Sequence, residues 1–168
     1  MKKCVFAGSF DPFTEGHRKI VEKALCVYDK VIVVVGVNPE KEPFFSEKER
    51  LSFIRRCFAG DKRVEAVFNK GLTVDYLKRK NITDYVRGIR NDTDIEYEKT
   101  AEKLNRSMYP ELKYVYIKCD EKDENVSSSL VKERLLKGES VSDLLPEQTE
   151  ELIVRTYRDK TENSKKAR

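Results

Sequence analysis

The first group of residues that could do chemistry in this chain of 168 residues is the segment AGSFDPFTEGH, at residues 7–17. It follows an apolar run and leads into a stretch with helical spacing. Gly8 lets the backbone approach a ligand, and Ser9 adds a hydroxyl donor. Because the N–H groups and the positive dipole end at a helix start favour anions, the segment predicts a phosphate-binding loop.

His17 is the only histidine of the chain and stands in the first turn of that predicted helix. An isolated histidine is more often a helix cap or a surface filler. The neighbouring Ser9 and Gly16, at a strand-to-helix junction, favour a phosphate ligand instead. Since the sequence has neither a G-x-x-x-x-G-K-[ST] loop nor a G-x-G-x-x-G fingerprint, a P-loop kinase and a dinucleotide oxidoreductase are both disfavoured.

Three more cations follow predicted strands. Lys41 lies in NPEKEPFF after the second strand, and Arg87 and Arg90 lie in RGIR after the fourth. Lysine binds a phosphate as a point charge, and arginine binds it as a planar fork. Gly88 is expected to turn the backbone between the arginines, so that both face one crevice. The alternatives are a solvated loop lysine and a surface cluster of ion pairs with nearby aspartates.

Two helical segments carry further candidates. Residues 127–129 are serines that precede LVKERLLKG, and they are either helix N-caps or donors to a triphosphate. Glu98 lies in DIEYEKTAEKLNR, where charges at such intervals usually form a solvated helix face. From the residues alone, capping is the default role of the serines and solvent exposure is the default for Glu98.

The elements that must position these residues alternate along the chain. Apolar runs rich in β-branched residues predict strands at 3–7, 30–37, 64–68, 83–86 and 113–117, with helices at 17–28, 47–59, 73–79 and 92–108. Two more helices follow the fifth strand. We therefore expect an α/β fold, a Rossmann-like doubly wound sheet of five parallel strands with helices on both faces and a C-terminal helical cap.

The composition is that of a densely charged globular protein, with 34 basic and 30 acidic residues and a net charge of +4. The four cysteines lack metal-ligand spacing, and no signal peptide or membrane span is expected, which predicts a cytoplasmic protein. We expect one domain over residues 1–158 and a charged, disordered tail over residues 159–168. Because that tail lacks interleaved aromatic residues, no nucleic-acid partner is expected.

Three blocks of the sequence resemble the phosphopantetheine adenylyltransferases of the nucleotidylyltransferase superfamily. GSFDPFTEGH, at 8–17, is similar to [TS]-F-D-P-x-T-x-G-H, in which T-x-G-H is a variant of the superfamily's H-x-G-H motif. YVRGIRNDTDIEYE, at 85–98, resembles R-G-[LI]-R-x-x-x-D-[FI]-E-Y-E, and VSSSLVKE, at 126–133, resembles I-S-S-S-x-[VI]-[KR]-E. The blocks come in the family's order and cover the whole domain.

The resemblance implies transfer of the adenylyl group of ATP to 4'-phosphopantetheine, by in-line attack without a covalent intermediate, giving dephospho-coenzyme A and pyrophosphate. The implied catalytic residues are His17, Lys41 and Arg90. The implied ATP-binding residues are Ser9, Phe10, His17, Gly88, Arg90, Glu98, Ser127, Ser128 and Ser129. The implied 4'-phosphopantetheine-binding residues are Ser9, Lys41, Leu72, Thr73 and Arg87.

In the implied scheme, His17 and Ser9 hold the α-phosphate, Lys41 and Arg87 orient the incoming phosphate, and Arg90 with the serine segment holds the departing β,γ-phosphates. Mg²⁺ is the implied cofactor, held by nucleotide oxygens and water and by no protein side chain. The resemblance also implies a homohexamer and feedback by coenzyme A. One departure from the family pattern is CDEKDENVSSS, at 119–129, which is acidic and lacks an aromatic residue often found there.

Two other functions compete with this one. A sister nucleotidylyltransferase would act on nicotinamide mononucleotide, or would use CTP with a phospho-alcohol acceptor. Such relatives usually carry a histidine where this chain has Thr14. A non-catalytic nucleotide-binding module would retain the fold without the activity, although all polar positions of the signature are present.

Overall fold

The computed structural model describes residues 1–168 and contains one sheet of five parallel strands. The strands are β1 (Lys3–Gly8), β2 (Lys30–Gly36), β3 (Val64–Asn69), β4 (Asp84–Ile89) and β5 (Lys113–Lys118), in the order β3-β2-β1-β4-β5. The predicted sheet is therefore confirmed. The strand order reverses between β1 and β4, and ligands of such sheets bind beyond the carboxyl ends of the strands at this switch point.

Helices cover both faces of the sheet. They are α1 (Glu15–Leu25), α2 (Glu47–Cys57), α3 (Thr73–Lys80), α4 (Asp92–Met108), α5 (Ser128–Lys137) and α6 (Glu147–Lys166). Since successive strand residues point to opposite faces, Cys4 and Phe6 pack with α1 and α2, whereas Val5 and Ala7 pack with α3. None of the helices combines the length and the apolar composition needed to cross a bilayer.

Strand β4 is longer than the apolar run that predicted it. It continues through Arg87 and Gly88 to Ile89, because these residues pair in parallel with β5. The expected backbone turn at Gly88 is therefore wrong. The glycine lies close to α1 instead: a Cβ at this position would be 3.2 Å from Cγ1 of Ile20, a tight contact that would press on that side chain.

The C-terminal helices form the expected cap. They share a separate core with Phe45 and with Phe53 of α2, and this core includes Val131 and Ile153. Helix α6 continues to Lys166 and so includes most of residues 159–168, for which a disordered tail was predicted. Lys160 supports this extension because its ammonium lies 3.1 Å from a carboxylate oxygen of Glu49 on α2.

Candidate functional site

A cleft of about 620 Å³ opens at the switch point between β1 and β4. The loop after β1, the end of β4 and the starts of α1, α4 and α5 surround it. It brings together the predicted site residues Ser9, Phe10, His17, Arg87, Gly88, Arg90, Glu98, Ser127 and Ser128. A neighbouring cleft of about 860 Å³, between α1, α5 and the start of α6, is larger but contains no predicted site residue.

His17 is oriented by the capping box that begins α1. Its Nδ1 atom accepts a hydrogen bond from the backbone N–H of Thr14 at 3.0 Å, while its own backbone N–H donates to Oγ1 of Thr14 at 3.3 Å. Because Nδ1 is an acceptor, the neutral ring carries its proton on Nε2. The histidine thus serves as a cap through one nitrogen and leaves the other as a donor for a ligand.

The surroundings of His17 keep the ring uncharged. Burial, and to a smaller extent the positive charge of Arg90, lower its pKa from 6.5 to about 4. The aromatic rings of Phe6, Phe10 and Phe13 lie with their centroids 6.2, 4.9 and 5.4 Å from the imidazole centroid. At neutral pH the cleft therefore contains a neutral hydrogen-bond donor and not an imidazolium cation.

The loop between β1 and α1 exposes Ser9 and buries Phe10. Phe10 has a left-handed backbone, with φ of 47°, and its ring is 3% exposed beneath His17. A Cβ at Gly8 would lie 3.0 Å from two carbons of that ring, so the glycine makes room for it. Any contact of Phe10 with ATP is therefore left to its backbone, because the ring belongs to the core.

Asp11 is a residue of this loop to which the sequence analysis assigned no role. Its carboxylate is 5% exposed and accepts from the backbone N–H groups of Phe44 and Phe45, at 2.8 Å each. The ammonium of Lys132 on α5 lies 3.1 Å away. The sequence contains one signal for this role, because Asp11 lies in FDPF among apolar residues. A carboxylate that is buried in such surroundings has to be paired.

Arg50 is the second residue at the site that no sequence pattern indicated. It is 3% exposed on α2 and donates from Nη1 to the carbonyl oxygens of Ser9 and Gly36, at 2.8 and 3.2 Å. Its Nε has no partner, and burial lowers its pKa. The guanidinium therefore places a buried positive charge behind the predicted phosphate loop and joins the ends of β1 and β2.

Arg87 and Glu98 form a two-pronged ion pair inside the cleft. Nε and Nη2 of the arginine lie 2.9 and 2.7 Å from the two carboxylate oxygens. Nη1 donates to the carbonyl of Ala7 and the hydroxyl of Tyr85, at 3.0 Å each. The guanidinium is thus held by residues of β1, β4 and α4. Glu98 positions this arginine and is not part of a purely solvated helix face.

Arg90 is held much more loosely. Its side chain is 49% exposed, and its Nε lies 3.3 Å from the carboxylate of Asp94. The same carboxylate accepts the backbone N–H of Arg90 at 2.8 Å. Arg90 therefore offers the cleft a guanidinium that can turn toward an anion without breaking a buried ion pair.

The serines at the start of α5 have different roles. Ser127 is the N-cap, since its Oγ accepts from the N–H of Leu130 at 3.1 Å, and Ser128 donates to the carbonyl of Pro12 at 2.7 Å. Ser129 is exposed and does not line the cleft. The capping alternative is thus observed for Ser127, and the N–H groups of Ser128 and Ser129, which lack intrahelical acceptors, remain for an anion.

Three predicted residues lie apart from the cleft together with Ser129. Lys41 is exposed in the loop between β2 and α2, while Leu72 precedes α3 and Thr73 begins it. Leu72 is 59% exposed. The loops that carry them follow β2 and β3, on the side of β1 opposite β4, and none of the three lines the cleft. Their roles stay predictions.

Two aspartates of the acidic stretch before α5 pair with lysines of α1. Asp123 is 6% exposed and lies 2.5 Å from the ammonium of Lys19, and Asp120 lies 2.7 Å from that of Lys23. Asp123 also lines the cleft. Asp120 and Asp123 therefore fasten this segment to α1, and the charge of the one that lines the cleft, Asp123, is paired with a lysine.

Comparisons with known proteins agree with this arrangement. The sequence matches the profile of the cytidylyltransferase-like family over residues 5–134. A Porphyromonas gingivalis protein named phosphopantetheine adenylyltransferase is 42% identical over 149 residues, which are 88% of this chain and 97% of that protein. A Leptospira biflexa protein of the same name is 36% identical over 153 residues, which are 91% and 96% of the two chains.

Among solved structures, a bifunctional NMN adenylyltransferase/ADP ribose pyrophosphatase from Francisella tularensis is similar, with a TM-score of 0.66. The match covers 88% of this chain and 45% of that one, at 20% sequence identity. At this identity the likeness shows the fold alone.

Proposed function

This chain belongs to the cytidylyltransferase-like family and, within it, to the phosphopantetheine adenylyltransferases, and we propose that it transfers the adenylyl group of ATP to 4'-phosphopantetheine. The products are dephospho-coenzyme A and pyrophosphate. The observation that carries the proposal is the His17 ring, which is neutral and oriented by Thr14, in a cleft that also holds Arg87 and Arg90.

In the proposed reaction, an oxygen of the acceptor phosphate forms a bond to the α-phosphorus of ATP. The bond from that phosphorus to the oxygen shared with the β-phosphate breaks, and pyrophosphate leaves with the electron pair. Because a phosphate anion is already nucleophilic, no general base is needed. Catalysis depends on in-line positioning and on donors that stabilise the charge of the transition state.

The geometry supports different tasks for the three groups. His17 would donate from Nε2 to an α-phosphate oxygen, and its neutrality would make the interaction depend on hydrogen-bond geometry. Arg87, held by Glu98 and Tyr85, suits a fixed phosphate of the acceptor. Arg90, half-exposed, suits the β,γ-phosphates, which must be released as pyrophosphate.

Mg²⁺ would enter as part of the ATP substrate. The cleft carboxylates of Asp94 and Glu98 are each engaged by an arginine, and no group of three or more potential metal-ligating side chains occurs in the structure. We therefore assign the ion to triphosphate oxygens and water, which suits the small, strongly hydrated Mg²⁺.

The experiment that tests the function measures pyrophosphate release with Mg²⁺, either ATP or CTP, and either 4'-phosphopantetheine or nicotinamide mononucleotide. We expect turnover with ATP and 4'-phosphopantetheine. His17→Ala should lower turnover about a hundredfold, by analogy with the deletion of an oxyanion donor. Lys137→Ala, on an exposed pair with Glu133 at the far end of α5, is the matched control.

Turnover with CTP but not ATP, or with nicotinamide mononucleotide but not 4'-phosphopantetheine, would show that the chain has the activity of a sister nucleotidylyltransferase. Binding of ATP without turnover on any acceptor would favour the non-catalytic module. Near-normal turnover of His17→Ala would remove the role of His17 while leaving the reaction in place.

We extend the proposal to a cytoplasmic homohexamer with feedback by coenzyme A. Helix α4 buries no residue and leaves Tyr97 78% and Leu104 63% exposed, and a subunit contact would cover such side chains. Light scattering tests the assembly, and competition of coenzyme A with the two substrates tests the feedback.

A further inference from the structure

We propose that Asp11 is a positioning residue that sets the place of Lys41 relative to the phosphate loop, here defined as residues 8–14. The carboxylate connects that loop to two other segments, the loop between β2 and α2 and the helix α5. Its partners are the N–H groups of Phe44 and Phe45 and the ammonium of Lys132. The kinetic part of this inference rests on the proposed function, whereas its structural part does not.

The chemistry of the position requires a carboxylate. Asp11 is 5% exposed, so a charge there must be matched by donors, and two backbone N–H groups and one ammonium supply them. An asparagine of the same shape has one acceptor oxygen and an NH₂ group that donates. One of the two backbone N–H groups would then face another donor, and the ammonium would lose its counterion.

The loop that carries Lys41 is fastened at both ends to the phosphate loop. At its start, Arg50 donates to the carbonyls of Gly36 and Ser9 from one nitrogen. At its end, Asp11 accepts from Phe44 and Phe45. Between these two anchors Lys41 itself is exposed, and its backbone N–H donates only within the loop, to the carbonyl of Asn38 at 3.2 Å.

Phe44 is also fixed by contacts of its side chain with α6. Its ring lies 5.2 Å from that of Tyr157 and 5.7 Å from the ammonium of Lys160, both on α6. The end of the loop is therefore fixed from the cap side, and Asp11 is the group that connects this fixed point to the phosphate loop. Losing the carboxylate should let the two loops shift against each other while the cap stays folded.

The kinetic test compares Asp11→Asn in the wild-type background and in the Lys41→Ala background. In the wild-type background we expect kcat/KM for 4'-phosphopantetheine to fall about tenfold to a hundredfold, as for a misplacement of about 1 Å. The KM for ATP should change by less than about threefold. In the Lys41→Ala background the same substitution should cost less than about threefold, because the residue that it positions is already gone.

Equal losses in the two backgrounds, or an ATP effect as large as the acceptor effect, would show that Asp11 merely supports the fold and would refute the proposal. Wild-type kinetics of Asp11→Asn would refute it as well. If Asp11→Asn does not fold, Lys132→Met carries the same comparison. It removes one of the three partners, and its loss should also vanish in the Lys41→Ala background.

Hydrogen exchange of the intact protein provides a readout without catalysis. The amides of Phe44 and Phe45 should exchange at least about tenfold faster in Asp11→Asn, while those of β2 stay protected. Asp143→Asn, which breaks the exposed pair with Arg134, is the control and should change neither amide. Unchanged exchange at both amides in Asp11→Asn would refute the claim that Asp11 anchors this loop. This result does not depend on whether the chain transfers an adenylyl group.

Discussion

His17 should titrate with a pKa near 4, far below its ordinary value of 6.5, in the ligand-free folded protein. The physical cause is first the burial of the ring among three phenylalanines and second the positive charge of Arg90. Since the chain has one histidine, NMR of the imidazole reports this residue without ambiguity. At pH 7 the nitrogen shifts should also show the tautomer with its proton on Nε2, because Nδ1 accepts from Thr14.

The same pKa predicts how stability depends on pH. Above pH 6.5 the ring is neutral in both the folded and the unfolded protein, so His17 does not make the free energy of unfolding depend on pH. Between pH 6.5 and about 4, His17 is protonated in the unfolded chain but stays neutral in the folded protein. The free energy of unfolding therefore falls with decreasing pH, by about 1.4 kcal/mol per pH unit and about 3 kcal/mol in all, and the term levels off below pH 4.

Urea unfolding of the wild type and of His17→Gln, measured from pH 7.5 to 3.5, isolates this term. The difference in unfolding free energy between the two should shift by about 3 kcal/mol across the window, to the disadvantage of the wild type at low pH. The urea-unfolded wild type serves as the NMR control and should titrate near the ordinary value of 6.5. A folded-state pKa near 6.5, or a proton on Nδ1, would refute the derivation of a neutral Nε2–H donor.

Two further substitutions test the walls of the cleft. Gly88→Ala places a Cβ 3.2 Å from Cγ1 of Ile20, so it should cost about 1–3 kcal/mol in urea unfolding. The cost should be smaller in the Ile20→Ala background, which lacks that atom; an unchanged stability of Gly88→Ala would contradict the packing argument. Asp123→Asn removes the nearest counterion of the half-buried Lys19 and leaves only Asp120, at 3.9 Å. It should destabilise the protein by about 1–3 kcal/mol in thermal unfolding and raise the KM for ATP severalfold. Lys19→Met combined with Asp123→Leu should restore the stability, and an unaltered KM in Asp123→Asn would show that this loop does not border the nucleotide.

The sequence by itself determined the sheet and most members of the site. Apolar runs and helical spacing are local properties, so they revealed five strands in alternation with helices. The position of Ser9, His17 and Arg90 directly after or near strand ends placed them at one edge of a parallel sheet, and the structure brings them into one cleft. Among the strand ends, only that of β4 differs from the prediction by more than one residue, because charged Arg87 is paired in the sheet there.

Only the tertiary structure decided which charges meet. Glu98 pairs with Arg87, Asp123 with Lys19 across 104 residues, and Asp11 with Lys132 across 121 residues. In a chain with 34 basic and 30 acidic residues, spacing along the sequence cannot select these partners. The choice depends on burial, because a carboxylate removed from water is retained only where the fold delivers donors to it. For the same reason the role of Asp11, which lies in the most recognisable segment of the chain, was visible only after folding brought three segments around it.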